Sequence, residues 1–257
     1  MLTAAVMTAT IGRDSLWRCM ESVQRQTYKA RHYIVVDGSV AFKDFLKLRG
    51  QILKANPQAE CIYISHNVGS RLLAGNRKYA ACCHVVAEDV VLMCDDDNFY
   101  DVTHIHNLMR HVMQGKDWAF SLRKVVDEKG EYICDDNCES LGHYSATWNS
   151  LKAHQDGERN NLEHMVDTSA YAFRTRILQE LAWVYSREHY GPDRTLFRVA
   201  AQFFPNFVCS NKYTLNYAVG SNALSVNKDF FNSGNEFIKQ RFPQGLPWNE
   251  IRSATIL

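Results

Sequence analysis

The sequence predicts an α/β fold in which helices cover both faces of a Rossmann-like, mostly parallel central sheet. In the first hundred residues, short apolar runs alternate with segments whose apolar residues recur every three or four positions. This alternation is typical of buried strands joined by amphipathic crossover helices. With 257 residues, 46% of them hydrophobic, the chain is long enough to bury a sizeable core. We expect a smaller mixed region and a C-terminal extension to follow the parallel half.

Four strands and three helices are predicted in the parallel half. The strands are the apolar runs 2–7, 33–36, 61–64 and 90–93. The first helix begins at Asp14-Ser15, which offers an N-cap, and carries apolar residues at helical spacing to Val23. The second helix spans 42–53 and is ended by Asn56-Pro57, and the third spans about 70–87.

The pattern changes after residue 100. The predicted elements are a helix over 102–113, a strand over 118–126, a hairpin return over 131–133, a polar, loop-rich stretch over 134–163, a strand over 166–173, and helices over 174–183 and 193–203. The hairpin rests on the turn sequence Asp127–Gly130. Residues 227–257 mix Phe, Trp, Pro and Gly. We therefore divide the chain into a first half at 1–115, a second half of the same domain at 116–226, and a C-terminal lid or strapping segment at 227–257.

Composition excludes several classes of protein. The 29 Lys and Arg residues balance 28 Asp and Glu residues, which leaves a net charge of +1 and no basic surface suited to nucleic acid. No apolar run approaches the roughly 20 residues that cross a bilayer. Eight cysteines are too few for a disulfide scaffold. We expect a cytoplasmic protein without a transmembrane segment, and the aromatic residues after 227 leave a peripheral contact at the inner face of the membrane as an alternative.

Polar residues stand where the four predicted parallel strands end. Ligands of open parallel sheets bind beyond these carboxyl ends, so the residues there are candidates for a binding site. They are Thr8, Thr10 and Arg13 after the first strand, Asp37 after the second, Asn67 after the third, and Asp95, Asp96 and Asp97 after the fourth.

The three consecutive carboxylates at 95–97 are the most distinctive feature of the sequence. Adjacent like charges at the end of a buried strand repel each other, and a divalent cation relieves that repulsion. Oxygen ligands without a nearby histidine favour Mg²⁺ or Mn²⁺. The alternative is an acidic turn that is solvated and binds nothing.

Several common motifs are missing from the sequence. No G-x-G-x-x-G follows the first strand, which disfavours a dinucleotide-binding fold. No P-loop is present, and no G-x-S-x-G indicates an α/β-hydrolase. A nucleotide site built on the strand ends remains compatible with the sequence.

Six segments, taken in order, resemble the GT-A fold glycosyltransferases of family 2. They are Thr8–Arg13, Ser22–Tyr28, Val35–Ser39, Asn67–Gly69, Ala74–Arg77 and Leu92–Asp97. Each segment alone is a weak signal, but six in the same order and at similar spacing are specific. The resemblance covers residues 1 to about 200 and is strongest in the first hundred. It implies a GT-A fold whose first half binds a nucleotide sugar and whose second half binds the acceptor and carries out catalysis.

The resemblance also implies roles for individual residues. Those implied to bind the nucleotide sugar are Thr8, Thr10, Arg13, Asp37, Asn67, Arg71, Asp95 and Asp96. Among them, Asp37 would contact the uracil or nearby ribose, and Arg71 the base or diphosphate. Asp95 and Asp97 match the DxD motif, in which Asp97 binds the metal and Asp95 reaches the ribose or a metal-bound water. Asp96 fills the variable middle position.

A later carboxylate is implied to be the catalytic base. Tyr190-Gly-Pro-Asp193 precedes a predicted helix, where the family places an acidic base, so Asp193 is the candidate. A carboxylate at a helix N-terminus is held ionised, which suits a base, although a plain N-cap is the alternative. Asp167 matches a segment that contributes acceptor contacts in the family. Trp148 is a further acceptor candidate because aromatic faces suit the C–H groups of sugars.

These residues together predict a metal-dependent glycosyltransferase. A sugar would pass from a nucleoside diphosphate sugar, with a UDP-sugar favoured, to an acceptor hydroxyl with inversion at the anomeric carbon. The acceptor is left open among a glycan, a lipid-linked glycan, a protein and a small molecule. Two alternatives use the same fold: a nucleotidyltransferase, and a module that binds a nucleotide or sugar without catalysis.

Overall fold

A computed structural model describes residues 1–38, 40–66, 68, 76–146, 164–187, 192–220 and 227–248. Its strands are β1 (Ala4–Thr10), β2 (Arg31–Asp37), β3 (Glu60–Ile64), β4 (Val90–Met93), β5 (Phe99–Tyr100), β6 (Trp118–Val126), β7 (Tyr132–Asp135), β8 (Tyr171–Arg174) and β9 (Phe207–Ala218). Its helices are α1 (Ser15–Gln24), α2 (Phe42–Ala55), α3 (Asn76–Cys82), α4 (His104–Met113), α5 (Thr175–Arg187), α6 (Pro192–Phe203) and α7 (Lys228–Arg241). A 3₁₀ turn at Thr168–Ala170 leads into β8.

The described strands form one sheet with a parallel half and a mixed half. Their order is β3-β2-β1-β4-β8-β6-β9-β5, and β7 pairs with β6 as a hairpin. The strands β3, β2, β1 and β4 pair in parallel. Beyond them, β8 is antiparallel to β4 and β6, whereas β9 is parallel to β6 and antiparallel to β5. This arrangement confirms the predicted α/β class, with its parallel sheet and mixed second region.

Burial explains why the parallel half is readable from the sequence. Every residue of β1 and β4 is buried, as expected for strands covered on both faces. In α1 the buried apolar side chains are Leu16, Cys19, Met20 and Val23, which recur at the helical spacing seen in the sequence. The predicted hairpin is also confirmed, because the turn before β7 is closed by Asp127 and by Gly130 at φ +91°.

Two long elements of the mixed half are absent from the sequence predictions. The strand β9 carries polar residues along its length and shifts register twice against β6, which obscures the period-two pattern of a strand. The helix α7 lies in the segment predicted as a lid or strap. It begins at Asn227, whose side chain accepts a hydrogen bond from the Phe230 backbone N–H at 3.0 Å.

The helix α7 packs against the sheet and contributes to a second core cluster. In that cluster, Phe231 and Ile238 are fully buried together with Leu122 and Val125 of β6. Trp248, which follows α7, is 5% exposed. The C-terminal aromatic residues described here therefore pack as core.

The structure also bears on membrane crossing and disulfides. In the described ranges, no helix is both long and apolar enough to cross a bilayer. All eight cysteines are free thiols.

Candidate active site

The carboxyl ends of β1, β2 and β4 lie side by side at one edge of the sheet. In β1, Thr10 is opposite Val36 of β2, and Met7 is opposite Met93 of β4. This register places Asp37 and the three carboxylates after Met93 around one cleft, as the sequence predicts for a binding site of this sheet type.

Asp96 joins the end of β4 to the end of β1. Its Oδ2 accepts a hydrogen bond from the Thr10 hydroxyl at 2.6 Å, and the Arg13 guanidinium lies 3.4 Å from its Oδ1. The same Arg13 Nη1 is 3.3 Å from Asp97 Oδ2. The structure thus brings four of the predicted residues together, and it gives a defined contact to the carboxylate that the resemblance leaves variable. Because the Arg13 side chain is 41% exposed, it remains accessible to a ligand from the cleft.

Asp95 points the other way, towards α3 and the turn before β8. The Tyr79 hydroxyl donates to its Oδ1 at 2.7 Å, and its backbone N–H donates to Ser169 Oγ at 3.1 Å. Burial and the charges of Asp97 and Asp167 raise the pKa of Asp95 to about 8. A carboxyl group under this repulsion favours a bound cation or proton.

Asp37 and Thr8 have polar partners inside the protein. Asp37 is 1% exposed, and its Oδ2 accepts from the buried Lys78 Nζ at 3.0 Å. Lys78, at the start of α3, is a site residue that the sequence analysis missed, although it directly follows the matched segment ending at Arg77. Thr8 is fully buried, and its hydroxyl lies 2.9 Å from His32 Nε2. The structure therefore places Thr8 in the core and not at the cleft surface.

Asp193 lies in the first turn of α6, directly after the buried Pro192. It is therefore inside the helix and not the N-cap that the alternative interpretation required. The Thr168 hydroxyl donates to Asp193 Oδ1, and Tyr185 OH lies 3.4 Å from the same hydroxyl. Burial and the charge of Asp167 raise the pKa of Asp193 to about 7, so the expectation that the helix N-terminus holds this carboxylate ionised is wrong. The raised pKa still suits a group that accepts a proton near neutral pH.

The turn before β8 connects Asp193 to Asp95. The Thr168 hydroxyl donates a hydrogen bond to Asp193. The hydroxyl oxygen of the next residue, Ser169, accepts from the Asp95 backbone N–H and from Asn98 Nδ2, at 3.1 Å each. The predicted base and Asp95, the first residue of the predicted DxD motif, therefore contact neighbouring residues of one turn.

Asp167, predicted as an acceptor contact, has both carboxylate oxygens engaged within the protein. Its Oδ1 accepts from the Ser169 backbone N–H at 2.8 Å, and its Oδ2 accepts from Arg123 Nη1 at 2.6 Å. Only 6% of the residue is exposed. In this structure Asp167 organises the turn, and its contact with the acceptor stays a prediction.

Arg123 is the centre of a buried ionic cluster that the sequence analysis missed. It is fully buried, its Nε lies 2.7 Å from Asp136 Oδ2, and its Nη2 contacts Glu139 Oε2. Against the cost of burial, Arg123 and three backbone N–H groups hold the pKa of Asp136 below its ordinary value. Burial raises the pKa of Glu139 even though Arg123 opposes the shift. With Asp167 included, three carboxylates surround one cation.

Three predicted site residues, Asn67, Arg71 and Trp148, lie outside the described residues. Their predicted contacts stay predictions.

The carboxylates after β4 fit a hard divalent cation better than a complete protein-only metal site. Within the described ranges, no group of three or more His, Cys, Asp or Glu side chains is arranged to hold a metal. Asp95 and Asp97 nevertheless offer hard oxygen ligands, and the charge of Asp97 raises the pKa of Asp95. Two carboxylates that repel each other fit Mg²⁺ or Mn²⁺, which commonly bind one or two carboxylates together with substrate phosphates.

Comparison with known proteins gives one family match and several structural matches. The family described as Glycosyl transferase family 2 matches residues 5–181. No curated protein matches the chain. Solved structures of S. aureus TarS share the fold at low sequence identity.

The crystal structure of S. aureus TarS is 12% identical with a TM-score of 0.60, and the match covers 85% of this chain and 37% of that one. TarS 1-349 in complex with UDP-GlcNAc is 13% identical with a TM-score of 0.60, covering 90% and 64%. TarS 1-349 in complex with UDP is 12% identical with a TM-score of 0.56, covering 95% and 72%. The chain thus spans little more than a third of the whole TarS chain. At these identities the likeness establishes the fold alone.

Proposed function

Because the chain belongs to glycosyl transferase family 2, we propose that it transfers a sugar from a UDP-sugar to an acceptor hydroxyl with inversion at the anomeric carbon. One observation carries the proposal. The consecutive residues Thr168 and Ser169 hydrogen-bond to Asp193 and to the backbone of Asp95, so a base and an acidic strand end face one cleft. A displacement reaction needs these two parts within reach of one substrate.

The nucleotide half of the proposal assigns the diphosphate end to the acidic strand end and Arg13. Asp95 and Asp97 would hold Mn²⁺ or Mg²⁺, and the bound cation would stabilise the negative charge on the departing nucleoside diphosphate. Arg13 is exposed to the cleft and bridges Asp96 and Asp97, so it is placed to contact a phosphate as well. The TarS complex with UDP-GlcNAc makes that compound the first donor to test.

The acceptor half assigns the proton transfer to Asp193. Its carboxylate takes the proton of the acceptor hydroxyl while the oxygen attacks the anomeric carbon from the face opposite the leaving group. The Thr168 hydroxyl orients the carboxylate by donating to Oδ1, and we assign Oδ2 to the substrate. A single displacement of this kind requires no covalent intermediate.

A thermal-shift series tests the nucleotide half. UDP, GDP, CMP and ADP are each added with and without Mn²⁺ to the wild type and to Asp97→Asn. We expect a Mn²⁺-dependent rise in Tm with UDP, because a ligand that binds only the folded state stabilises it by RT ln(1 + [L]/Kd). Asp97→Asn should lose the Mn²⁺-dependent part of this rise.

The control is Asp229→Asn, which changes an exposed carboxylate in the first turn of α7 and should keep the full response. A UDP response that is independent of Mn²⁺ in the wild type would overturn the metal assignment. No response to any nucleotide would overturn the proposal. Intact UDP binding without release of UDP from any UDP-sugar would favour the non-catalytic alternative.

A further inference from the structure

Arg123 is buried at a cost that stability alone does not explain. The residue is fully buried on β6 and is surrounded by Asp136, Glu139 and Asp167, so the cluster carries more negative than positive charge. Buried ion pairs recover little of the free energy lost on desolvation, and apolar replacements are often at least as stable. A buried ionic cluster beside a cleft therefore calls for a role in geometry.

The contacts of Arg123 lead from the core to both sides of the cleft. Its Nη1 donates to Asp167 Oδ2 at 2.6 Å, and Asp167 Oδ1 accepts from the Ser169 backbone N–H at 2.8 Å. Between these two residues, Thr168 donates to Asp193, while the Ser169 hydroxyl accepts from the Asp95 backbone. One arginine thus fixes the turn that contacts the proposed base and the acidic strand end.

The guanidinium is also held by the rest of the molecule. Its central carbon lies 4.0 Å from the ring centre of Tyr217 on β9 and 5.4 Å from that of Phe231 on α7. The Asp136 carboxylate accepts a hydrogen bond from Arg123 Nε. It is itself held by hydrogen bonds from the backbone N–H groups of residues 138–140 at 2.8–2.9 Å. Because aromatic rings contact the face of the guanidinium and carboxylates bind its N–H groups, Arg123 holds the turn in a fixed position.

We propose that Arg123 is a positioning residue that sets the separation of Asp193 and Asp95 through the turn Asp167–Ser169. The inference rests on the proposed function, because it assigns these two carboxylates to one reaction. Because Arg123 is fully buried, we assign it no contact with substrate or metal. Its planar fork bridges three carboxylates at once, which a single ammonium group does not reproduce.

The test compares Arg123→Lys, Asp167→Asn and the double variant with the wild type. Asp167→Asn leaves Arg123 with two carboxylate partners, so it removes the link to the turn without leaving a buried cation unpaired. The assay is UDP release from UDP-GlcNAc with water as the acceptor, at pH 8.5 with Mn²⁺. This pH lies above the pKa of about 7 at Asp193, so changes in the ionisation of the base affect the rate little.

We expect kcat to fall by about 100-fold in either single variant, as for a misplacement of the reacting groups by about 1 Å. KM for the donor should stay within about threefold, and the UDP thermal shift should be retained, because Arg13 and Asp97 are untouched and Asp95 keeps its hydrogen bond from Tyr79. The kcat of the double variant should be no lower than that of the less active single variant, since both changes break the same link. A merely structural role would lower Tm without this split between kcat and KM.

The matched control is Lys124→Met, which changes the neighbouring residue on β6. Lys124 Nζ lies 2.6 Å from Asp101 Oδ2, and this ion pair does not involve the turn Asp167–Ser169. It should keep the wild-type kcat. If Asp167→Asn retains kcat within threefold, if the two losses add, or if neither single variant folds, the positioning role is overturned. If wild type and Lys124→Met both fail to release UDP from any UDP-sugar, the proposed function itself has failed.

Discussion

At the scale of single residues, the protonation of Asp193 is the property that most directly controls the proposed reaction. The carboxyl group is half-buried, and the nearby charge of Asp167 opposes its ionisation, so its pKa is raised to about 7. The base is therefore ionised above about pH 7 and protonated below it. This places the loss of activity within the neutral range and not near pH 4, where an ordinary aspartate titrates.

We predict that kcat/KM falls as pH is lowered through about 7, by a factor of about ten per pH unit below that value. Asp193→Asn should abolish this pH dependence. The variant should lose about 10²- to 10⁴-fold in kcat, the usual contribution of a general base. UDP release from UDP-GlcNAc between pH 5.5 and 9 measures both quantities. Asp193→Asn should keep the UDP thermal shift, and an unchanged pH profile in this variant would assign the base to another residue.

The residues at the strand ends are the ones the sequence could place, because a parallel sheet brings its carboxyl ends together in any chain. Arg123 could not be found in this way. Its three carboxylate partners are 13, 16 and 44 positions away, at no repeating interval. Thr8 shows the opposite limit, because its position in a motif does not reveal that its side chain turns into the core.

At the scale of elements, the loops that follow β2 and β3 are in direct backbone contact. The Gly38 N–H, just after β2, donates to the His66 carbonyl at 3.2 Å, just after β3. A Cβ at residue 38 would lie 2.5 Å from the Ser65 carbonyl oxygen, a separation that real side chains do not adopt. Glycine is therefore required here by space, one residue after Asp37.

We predict that Gly38→Ala lowers the free energy of unfolding by about 1–3 kcal/mol, the usual cost of overpacking, and weakens UDP binding because the loops must separate. The matched control is Gly50→Ala in the exposed part of α2, where nothing lies within 4 Å of the new methyl group. That change should stabilise the protein by about 0.5–1 kcal/mol. Urea unfolding measures both, and equal effects of the two substitutions would show that the close approach of the loops carries no strain.

Element prediction succeeds where one pattern dominates and fails where several elements share the same residues. The strands of the parallel half are continuous apolar runs, so their identity follows from composition alone. The strand β9 pairs with β6 on one side and β5 on the other and shifts register twice against β6, so its side chains follow no single alternation.

At the scale of the whole molecule, the C-terminal helix is part of the folded core. Phe230, Phe231 and Ile238 of α7 are at most 3% exposed and pack with the buried face of β6. Truncating one buried Phe to Ala costs about 3–5 kcal/mol, and the net stability of a domain is about 5–15 kcal/mol. The molecule therefore depends on residues well beyond the end of its family match at residue 181.

We predict that deleting residues 227–257 abolishes cooperative unfolding. The deletion removes five apolar side chains of the second core cluster at once, and it takes the Phe231 ring away from the Arg123 guanidinium. Circular dichroism in the far and near ultraviolet, with dye binding to exposed apolar surface, measures the effect. A truncated chain that still melts in one transition within about 5 °C of the full chain would show that α7 contributes little to the stability of the fold.

The position of β9 in the sheet has a consequence for how the protein is made. On the ribosome, β6 is complete long before β9 has been synthesised, and at about 5–20 residues per second the interval is about 5–18 s. Throughout that time, one side of β6 and all of β5 lack their final partner strand. Open strand edges recruit other chains, so nascent polypeptides that are crowded together have a window in which to aggregate. Biosynthesis of this protein should therefore depend on chaperones that shield strand edges, and its yield should rise when fewer ribosomes translate it at once.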